Sequence, residues 1–269
     1  MSEVYGGSLL GFFKRKKDFG YHALHRAIID GDIEKARSHL HLKNVPTPLG
    51  LTPLMLARFL GRKEHSLLLE ASELPLFFPD QKEELENRFN FTYLPYLEFD
   101  SIHTLEEICK RTEKVLQDKT TRAMNHWTQS LHERTYRNSP LDFVTLKYVN
   151  PLVGYGIFAK KPLAKLTLIG EYTGEVRKRS KKGDRFNDYI FSFSSGPKTS
   201  PYIIDARHKG NLTRFINHSE EPNSISRWMV IDGVTRIIFY TKEAINQGEQ
   251  LTYDYGKFYW RSRIFPQVL

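Results

Sequence analysis

Four short segments hold residue types able to do chemistry. Gly154-Tyr155-Gly156 is followed by Gly170-Glu171-Tyr172-Thr173-Gly174-Glu175-Val176. Arg214-Phe215-Ile216-Asn217-His218-Ser219 comes next, and Gly248-Glu249-Gln250-Leu251-Thr252-Tyr253-Asp254-Tyr255-Gly256 closes the series. A tyrosine hydroxyl both donates and accepts, and with an ordinary pKa of about 10 it stays protonated near neutrality. Each piece alone has a plain structural account: an Asn-His pair is a turn, Tyr-x-Tyr shows alternate faces of a strand, and Gly-x-Gly punctuates a hairpin. Asp254, between two tyrosines, reads as an acid that orients backbone or pairs with a base. His126, His132 and His208 lack partners at metal or nucleophile spacing. The single cysteine, Cys109, excludes an internal disulfide framework and any multi-cysteine metal site.

Taken together and in this order, with Ile204-Asp205-Ala206-Arg207, Gly210 to Thr213 and Pro222-Asn223 between them, the segments resemble the SET-domain protein lysine methyltransferases across residues 140–260. The resemblance implies methyl transfer from S-adenosylmethionine to a lysine amine. A lysine in water has a pKa of about 10.4, and only its neutral form is nucleophilic. A narrow aromatic channel disfavours the ammonium, and Tyr172, Tyr253 and Tyr255 would supply its walls. By the same resemblance Tyr255 is the catalytic tyrosine, and Tyr253 sits where relatives carry Tyr or Phe. Gly154, Tyr155, Gly156, Tyr189, Arg214, Asn217 and His218 fall on the cofactor side. The implied substrate is a protein with a target lysine, a histone tail or nucleosome. The alternatives are a non-histone protein substrate, or a catalytically weak SET module that only binds.

Many relatives carry a cysteine after Asn-His-Ser and three beyond the catalytic tyrosine, together forming a zinc site. Here Glu220 holds the first position and the tail has no cysteine, so no metal is expected. The aromatic tail, residues 257–269, is instead expected to close the site through Phe258 and Trp260. The insert Arg177 to Arg185 reads as a contact for DNA phosphates or as a solvated loop. A basic enzyme acting on a basic tail needs acidic groups or main-chain pairing at its groove; Glu220, Glu221, Asp184 and Asp188 are the candidates.

The elements that position these residues form an α+β chain. His22 to Ala27 and Thr52 to Ala57 repeat at an offset of 30, as do Gly31 and Gly61. This is similar to two ankyrin repeats over residues 21–73, a family with a period near 33. Two such repeats bury too little by themselves and are expected to lean on the rest of the chain, or to recruit an unidentified partner. Residues 74–139 read as a connector, with a short helix over Lys82 to Arg88. A long helical stretch without proline or glycine follows from Ser101, capped at Thr104 with Glu107. Ile102, Leu105, Ile108, Leu116, Trp127 and Leu131 form its apolar stripe, and a break near Asp118 to Thr121 is open. Residues 140–256 read as a β-rich SET fold with pseudoknot-like threading, on short strands such as Tyr189 to Phe193, Tyr202 to Asp205 and Thr235 to Tyr240.

Forty lysines and arginines against 31 acids leave a formal charge of +9 over 269 residues. No apolar run is long enough to cross a membrane. Residues 1–20 read as a basic tail, with Lys14-Arg15-Lys16-Lys17 a nuclear import signal, a phosphate patch or a solvated run. The expectation is an intracellular protein working in a nucleus. The pairing of such repeats with a SET domain is reminiscent of effectors that intracellular bacteria deliver to host nuclei.

Overall fold

The computed structural model describes residues 19–70, 82–135, 143–180, 182–193 and 200–260, without the side chains of 132–135 and 258. The run Lys14–Lys17, the side chains of His132 and Phe258 and the tail after Trp260 lie outside them.

The described chain begins with two helix pairs, α1 (Ala23–Asp30) with α2 (Ile33–Ser38) and α3 (Pro53–Phe59) with α4 (Lys63–Leu69). Gly31 ends α1 in the left-handed region at φ 75°, which a side chain would resist. Thr52 caps α3 by accepting the Met55 N–H, and Pro53 takes the first helical position. Leu24, Ile28, Leu54, Leu56, Ala57 and Phe59 are buried.

Next come α5 (Lys82–Phe89), β1 (Thr92–Tyr93) and β2 (Glu98–Phe99). The long helical stretch is two helices, α6 (Ile102–Val115) and α7 (Lys119–Thr135), separated at 116–118. The α6 cap is Ser101, not Thr104: the Ser101 hydroxyl accepts the Thr104 N–H, and Thr104 is itself buried inside the first turn. Asp118 restarts the second helix by accepting the Thr121 N–H. Leu105 and Ile108 are buried as the stripe requires, but Trp127, on the second helix, is 49% exposed.

The second half holds β3 (Val144–Asn150), β4 (Gly154–Ala159), β5 (Leu168–Glu171), β6 (Glu175–Lys178), β7 (Ile190–Ser192), β8 (Tyr202–Asp205) and β9 (Lys209–Gly210). A 3-10 turn over Leu212–Phe215 leads to β10 (Asn217–His218), β11 (Ser224–Ile231), β12 (Val234–Thr241), β13 (Thr252–Tyr253) and α8 (Lys257–Trp260). Small sheets result, with orders β2-β6-β8-β7, β11-β12-β5, β3-β4, β1-β9 and β10-β13. The β11–β12 hairpin turns at Asp232-Gly233, both at positive φ, the geometry that matches strand twist.

Two strands of the connector belong to these sheets. β1 runs parallel to β9 and β2 parallel to β6. The buried Thr173 hydroxyl also donates to the Leu94 carbonyl. One apolar core runs from Leu24 and Phe59 through Phe99, Leu105 and Ile108 to Val176, Ile204 and Phe239. Phe59 of α3 meets Phe99 at 5.3 Å between ring centroids and lies under the Arg236 guanidinium. A second cluster of Leu131, Leu168, Met229, Ile238 and Tyr240 lies under α7. No helix among the described residues is long and apolar enough to cross a membrane.

Candidate active site

The site is made where two distant segments lie side by side. β10 and β13 pair in parallel, Asn217 opposite Thr252 and His218 opposite Tyr253. So short a pairing needs staples. Asn223 supplies two: its Nδ2 donates to the Gln250 carbonyl at 2.8 Å and its Oδ1 accepts the Thr252 N–H at 3.0 Å. The Ser219 N–H donates to the Tyr253 carbonyl. Beyond the strand, the Tyr255 N–H donates to His218 Nδ1 at 3.1 Å, and the Tyr255 hydroxyl donates to the Ile216 carbonyl at 2.9 Å. A His218 that accepts at Nδ1 carries its proton on Nε2. Asp254 orients backbone, its Oδ1 accepting the Gly256 N–H.

The tyrosines stand in an aromatic wall. Tyr253 packs edge-on against Phe239 at 4.8 Å, parallel to Phe191 at 6.1 Å and 4.7 Å from Tyr255. Tyr259 of α8 meets Tyr255 at 4.6 Å, and its hydroxyl donates to Asp188 at 3.1 Å. A cleft of about 260 Å³ opens among Tyr253, Tyr255, Tyr259, Asp188, Ile190 and Phe191. Burial pushes the Tyr253 and Tyr255 hydroxyls well above the ordinary tyrosine range, and each tyrosine disfavours a charge on its neighbours. Both therefore remain neutral donors. Tyr172 is 4% exposed and stands behind the cleft, its ring against Phe191 and its hydroxyl donated to the Tyr189 carbonyl. Burial raises its pKa too.

Of the residues assigned to the cofactor side, Asn217 lies against Tyr155 and Gly156, Trp260 against His218, and Arg214 against Tyr189. The Asn217 Nδ2 donates to the Tyr155 carbonyl at 3.1 Å. Gly154 sits at φ 71° after a turn in which Asn150 Oδ1 accepts the Leu152 and Val153 N–H groups, and a Cβ there would meet nothing within 4 Å. Its type is set by φ. Gly156 is different: a Cβ would collide with Gln250 Nε2 and lie 2.9 Å from Asn217 Nδ2. Trp260 packs on His218 at 4.8 Å and parallel to Tyr255 at 6.3 Å. Arg214 is 8% exposed, held between Tyr189 at 4.0 Å and Phe91 at 4.5 Å, its Nη2 donating to the Arg207 carbonyl. Burial lowers its pKa from the usual arginine value, and the neighbouring Tyr189 and Tyr172 oppose that shift. It braces Tyr189 from within the core.

Two residues of the insert are engaged within the fold. Asp184 borders the cleft but is buried and paired with Arg177 at 2.6 Å, its carboxyl held low, against the cost of burial, by that guanidinium and the Ser180 N–H. Arg177, the first residue of the basic run, is engaged inside the fold, where it bridges Asp184 and Asp205, both at 2.6 Å. Both residues fold the insert onto β8; Asp188, Glu220 and Glu221 remain exposed. Among the described residues no three His, Cys, Asp or Glu side chains are grouped to hold a metal ion.

The sequence reading missed Phe191, Phe239 and Tyr259 as site residues. The β-rich runs could have pointed to the first two, because Phe191 lies inside Tyr189 to Phe193 and Phe239 inside Thr235 to Tyr240. Tyr259 lies in the aromatic tail already singled out. Asn223, the staple, stood in a quoted motif without a role.

Comparison with known proteins bears on the second half of the chain. Residues 154–256 match the family model of the SET domain. The "Variant-silencing SET domain-containing protein" of Plasmodium falciparum is 31% identical over 177 residues, 61% of this chain and 6% of that protein. "Histone-lysine N-methyltransferase EZ2" of Zea mays is 38% identical over 111 residues, 39% of this chain and 12% of that protein. "Histone-lysine N-methyltransferase set1" of Dictyostelium discoideum is 38% identical over 108 residues, 38% of this chain and 7% of that protein. The chain thus spans a small part of the length of these relatives. The stretch from Gly154 to Gly256 of this chain is a SET domain.

Proposed function

We propose that the chain is a protein lysine N-methyltransferase that uses S-adenosylmethionine. The observation that carries this reading is the strapping of Asn217-His218 to Tyr253 and Tyr255 beside an aromatic cleft, inside a SET domain. The residues present suit the cofactor. The open approach at Gly154, the Asn217 amide and the ring faces of His218 and Trp260 match a molecule with a purine and polar ends. When bound, it supplies a methyl carbon to which the lysine nitrogen bonds as the carbon–sulfur bond breaks, its electron pair staying on sulfur.

The chain's own residues prepare that event. Tyr253 and Phe191, backed by Phe239, exclude water from the lysine side chain and disfavour its ammonium. Tyr255, neutral and anchored on Ile216, presents its phenol oxygen at the meeting of cleft and cofactor face. The Tyr253 hydroxyl has no hydrogen-bond partner among the described residues and is available to orient the amine. Tyr259, tied to Asp188, narrows the mouth. The proton leaves the product for solvent.

The proposed substrate is a histone, and the proposed workplace a nucleus; support comes from the names of the similar proteins. The helix pairs α1–α2 and α3–α4 would be two ankyrin repeats, supported by their offset of 30 and the left-handed glycines Gly31 and Gly61. Their role would be to brace the SET domain through Phe59. Incubating the full chain with labelled S-adenosylmethionine and core histones, nucleosomes or non-histone basic proteins tests the reading. Label on a histone lysine supports it; label only on other proteins moves the substrate class; no label on any protein refutes the activity.

A further inference from the structure

The connector before the SET domain reaches the turn that bears Gly154-Tyr155-Gly156. Arg88, at the end of α5, donates from Nη2 to the Tyr155 hydroxyl at 2.6 Å, and its guanidinium lies 4.9 Å over the same ring. Phe89 meets that ring edge-on at 4.8 Å and Phe215 at 4.9 Å, while Tyr148 covers another side at 5.5 Å. The Tyr155 side chain is thus gripped by α5, and its carbonyl accepts the Asn217 amide. The ring, the backbone of the turn and Asn217 form one mechanical unit with α5 at its end.

That end is fixed. Glu86 accepts the Tyr93 N–H at 2.7 Å and pairs with Lys82, and the Thr92 and Leu94 N–H groups donate to the carbonyls of His208 and Gly210. The Arg88 side chain remains about half exposed, at 53%, so its loss removes aim and little buried surface.

We infer that Arg88 is a positioning residue for cofactor binding: through the Tyr155 ring it sets the Gly154–Gly156 backbone and the Asn217 amide at the spacing the cofactor requires. The inference rests on the functional reading above. It makes α5 part of the catalytic unit and gives the segment before the SET domain a direct grip on cofactor affinity. Lysine would not replace Arg88, because the contact uses a planar guanidinium that stacks and donates at once.

The test uses the full chain and Arg88→Ala, Arg88→Lys and Tyr155→Phe variants. Affinity for S-adenosylhomocysteine is measured by calorimetry, and hydrogen exchange is followed over 154–157. The expected result for Arg88→Ala is an affinity about tenfold weaker and faster exchange at the turn. The Tm should stay unchanged, and kcat at saturating cofactor should stay within about twofold while KM for the cofactor rises. Arg88→Lys should fall near Arg88→Ala, and Arg88→Ala should cost less in the Tyr155→Phe background than in the native chain, since the bond to the hydroxyl is already gone and only the stacking remains to be lost. Unchanged affinity in Arg88→Ala, with the native chain binding normally, overturns this inference and leaves the functional reading standing. So does a loss confined to kcat and Tm, which is what a merely structural role predicts. A native chain that binds no cofactor analogue overturns the functional reading and this inference with it.

Discussion

Gly156→Ala is the sharpest probe of the cofactor face. A methyl at this position meets the Gln250 amide and comes 2.9 Å from Asn217 Nδ2. Gly156 is not at positive φ, so the backbone accepts alanine and the effect is one of space. The Gln250 side chain can swing aside. Asn217 cannot do so without stretching its bond to the Tyr155 carbonyl, now 3.1 Å. Losing one hydrogen bond costs about 1 kcal/mol, and overfilling a packed site about 1–3 kcal/mol. Part of this falls on the fold and part on the cofactor, whose proposed ligand Asn217 has moved. The expected result is a modest fall in Tm and an affinity for S-adenosylhomocysteine roughly ten- to a hundredfold weaker, since about 1.4 kcal/mol is tenfold. Calorimetry and thermal unfolding on the same preparation separate the two. Native affinity in a protein with lowered Tm would refute the placement of Asn217 on the cofactor face.

Further outcomes follow from other parts of the molecule. Tyr253→Phe removes a hydroxyl with no partner among the described residues, so stability should hold. A native enzyme limited to mono- or dimethylation should then reach a higher state in mass spectra of one peptide taken to completion. Arg236→Ala strands Glu171, whose carboxyl burial raises and whose partner Arg236 lies at 3.2 Å. It should cost about 3–5 kcal/mol by denaturant unfolding, and a loss below 1 kcal/mol would deny the pair its role. His25 is buried and its pKa is lowered from 6.5 to about 4 by that burial, with His22 adding to the shift. The unfolded chain therefore binds the extra proton first, so its contribution to stability is lost as pH falls from 6.5 toward 4. The dependence of Tm on pH in that window should be flatter in His25→Asn than in the native chain. Deleting residues 1–95 removes β1, the Leu94 acceptor of Thr173 and the Arg88 grip; the truncated chain should lose cooperative unfolding.

Much of the site is legible in the sequence because its residues sit in short local motifs. Tyr253-Asp254-Tyr255 and Asn217-His218 declare themselves as units, and the strand over Tyr202–Asp205 lies where the β-rich run puts it. Their meeting does not show in periodicity, because two-residue parallel pairing leaves no pattern and is held by scattered side chains, Asn223, His218 and Tyr255. Charge misleads for a related reason. Arg177 and Asp184 look like a basic patch and an acidic wall until the fold turns them toward each other. Nor does composition reveal that the connector donates β1 and β2 to the sheets, since two-residue strands fall below any alternation signal. The Thr104 cap fails by position: Ser101 stands three residues earlier with the same chemistry, and the helix begins at the first competent cap.

The central claim is that Tyr255 sits at a lysine methyl-transfer centre, and its hydroxyl is the most direct place to strike. Tyr255→Phe keeps the ring against Tyr253 and Tyr259 and gives up one bond, to Ile216. Methyl transfer to core histones under single-turnover conditions, read by mass spectrometry with cofactor binding measured in parallel, compares the two proteins. The account predicts a methylated lysine with the native chain, and in the variant near-native binding with transfer slowed about a hundred- to a thousandfold. Native-like transfer by Tyr255→Phe would contradict it.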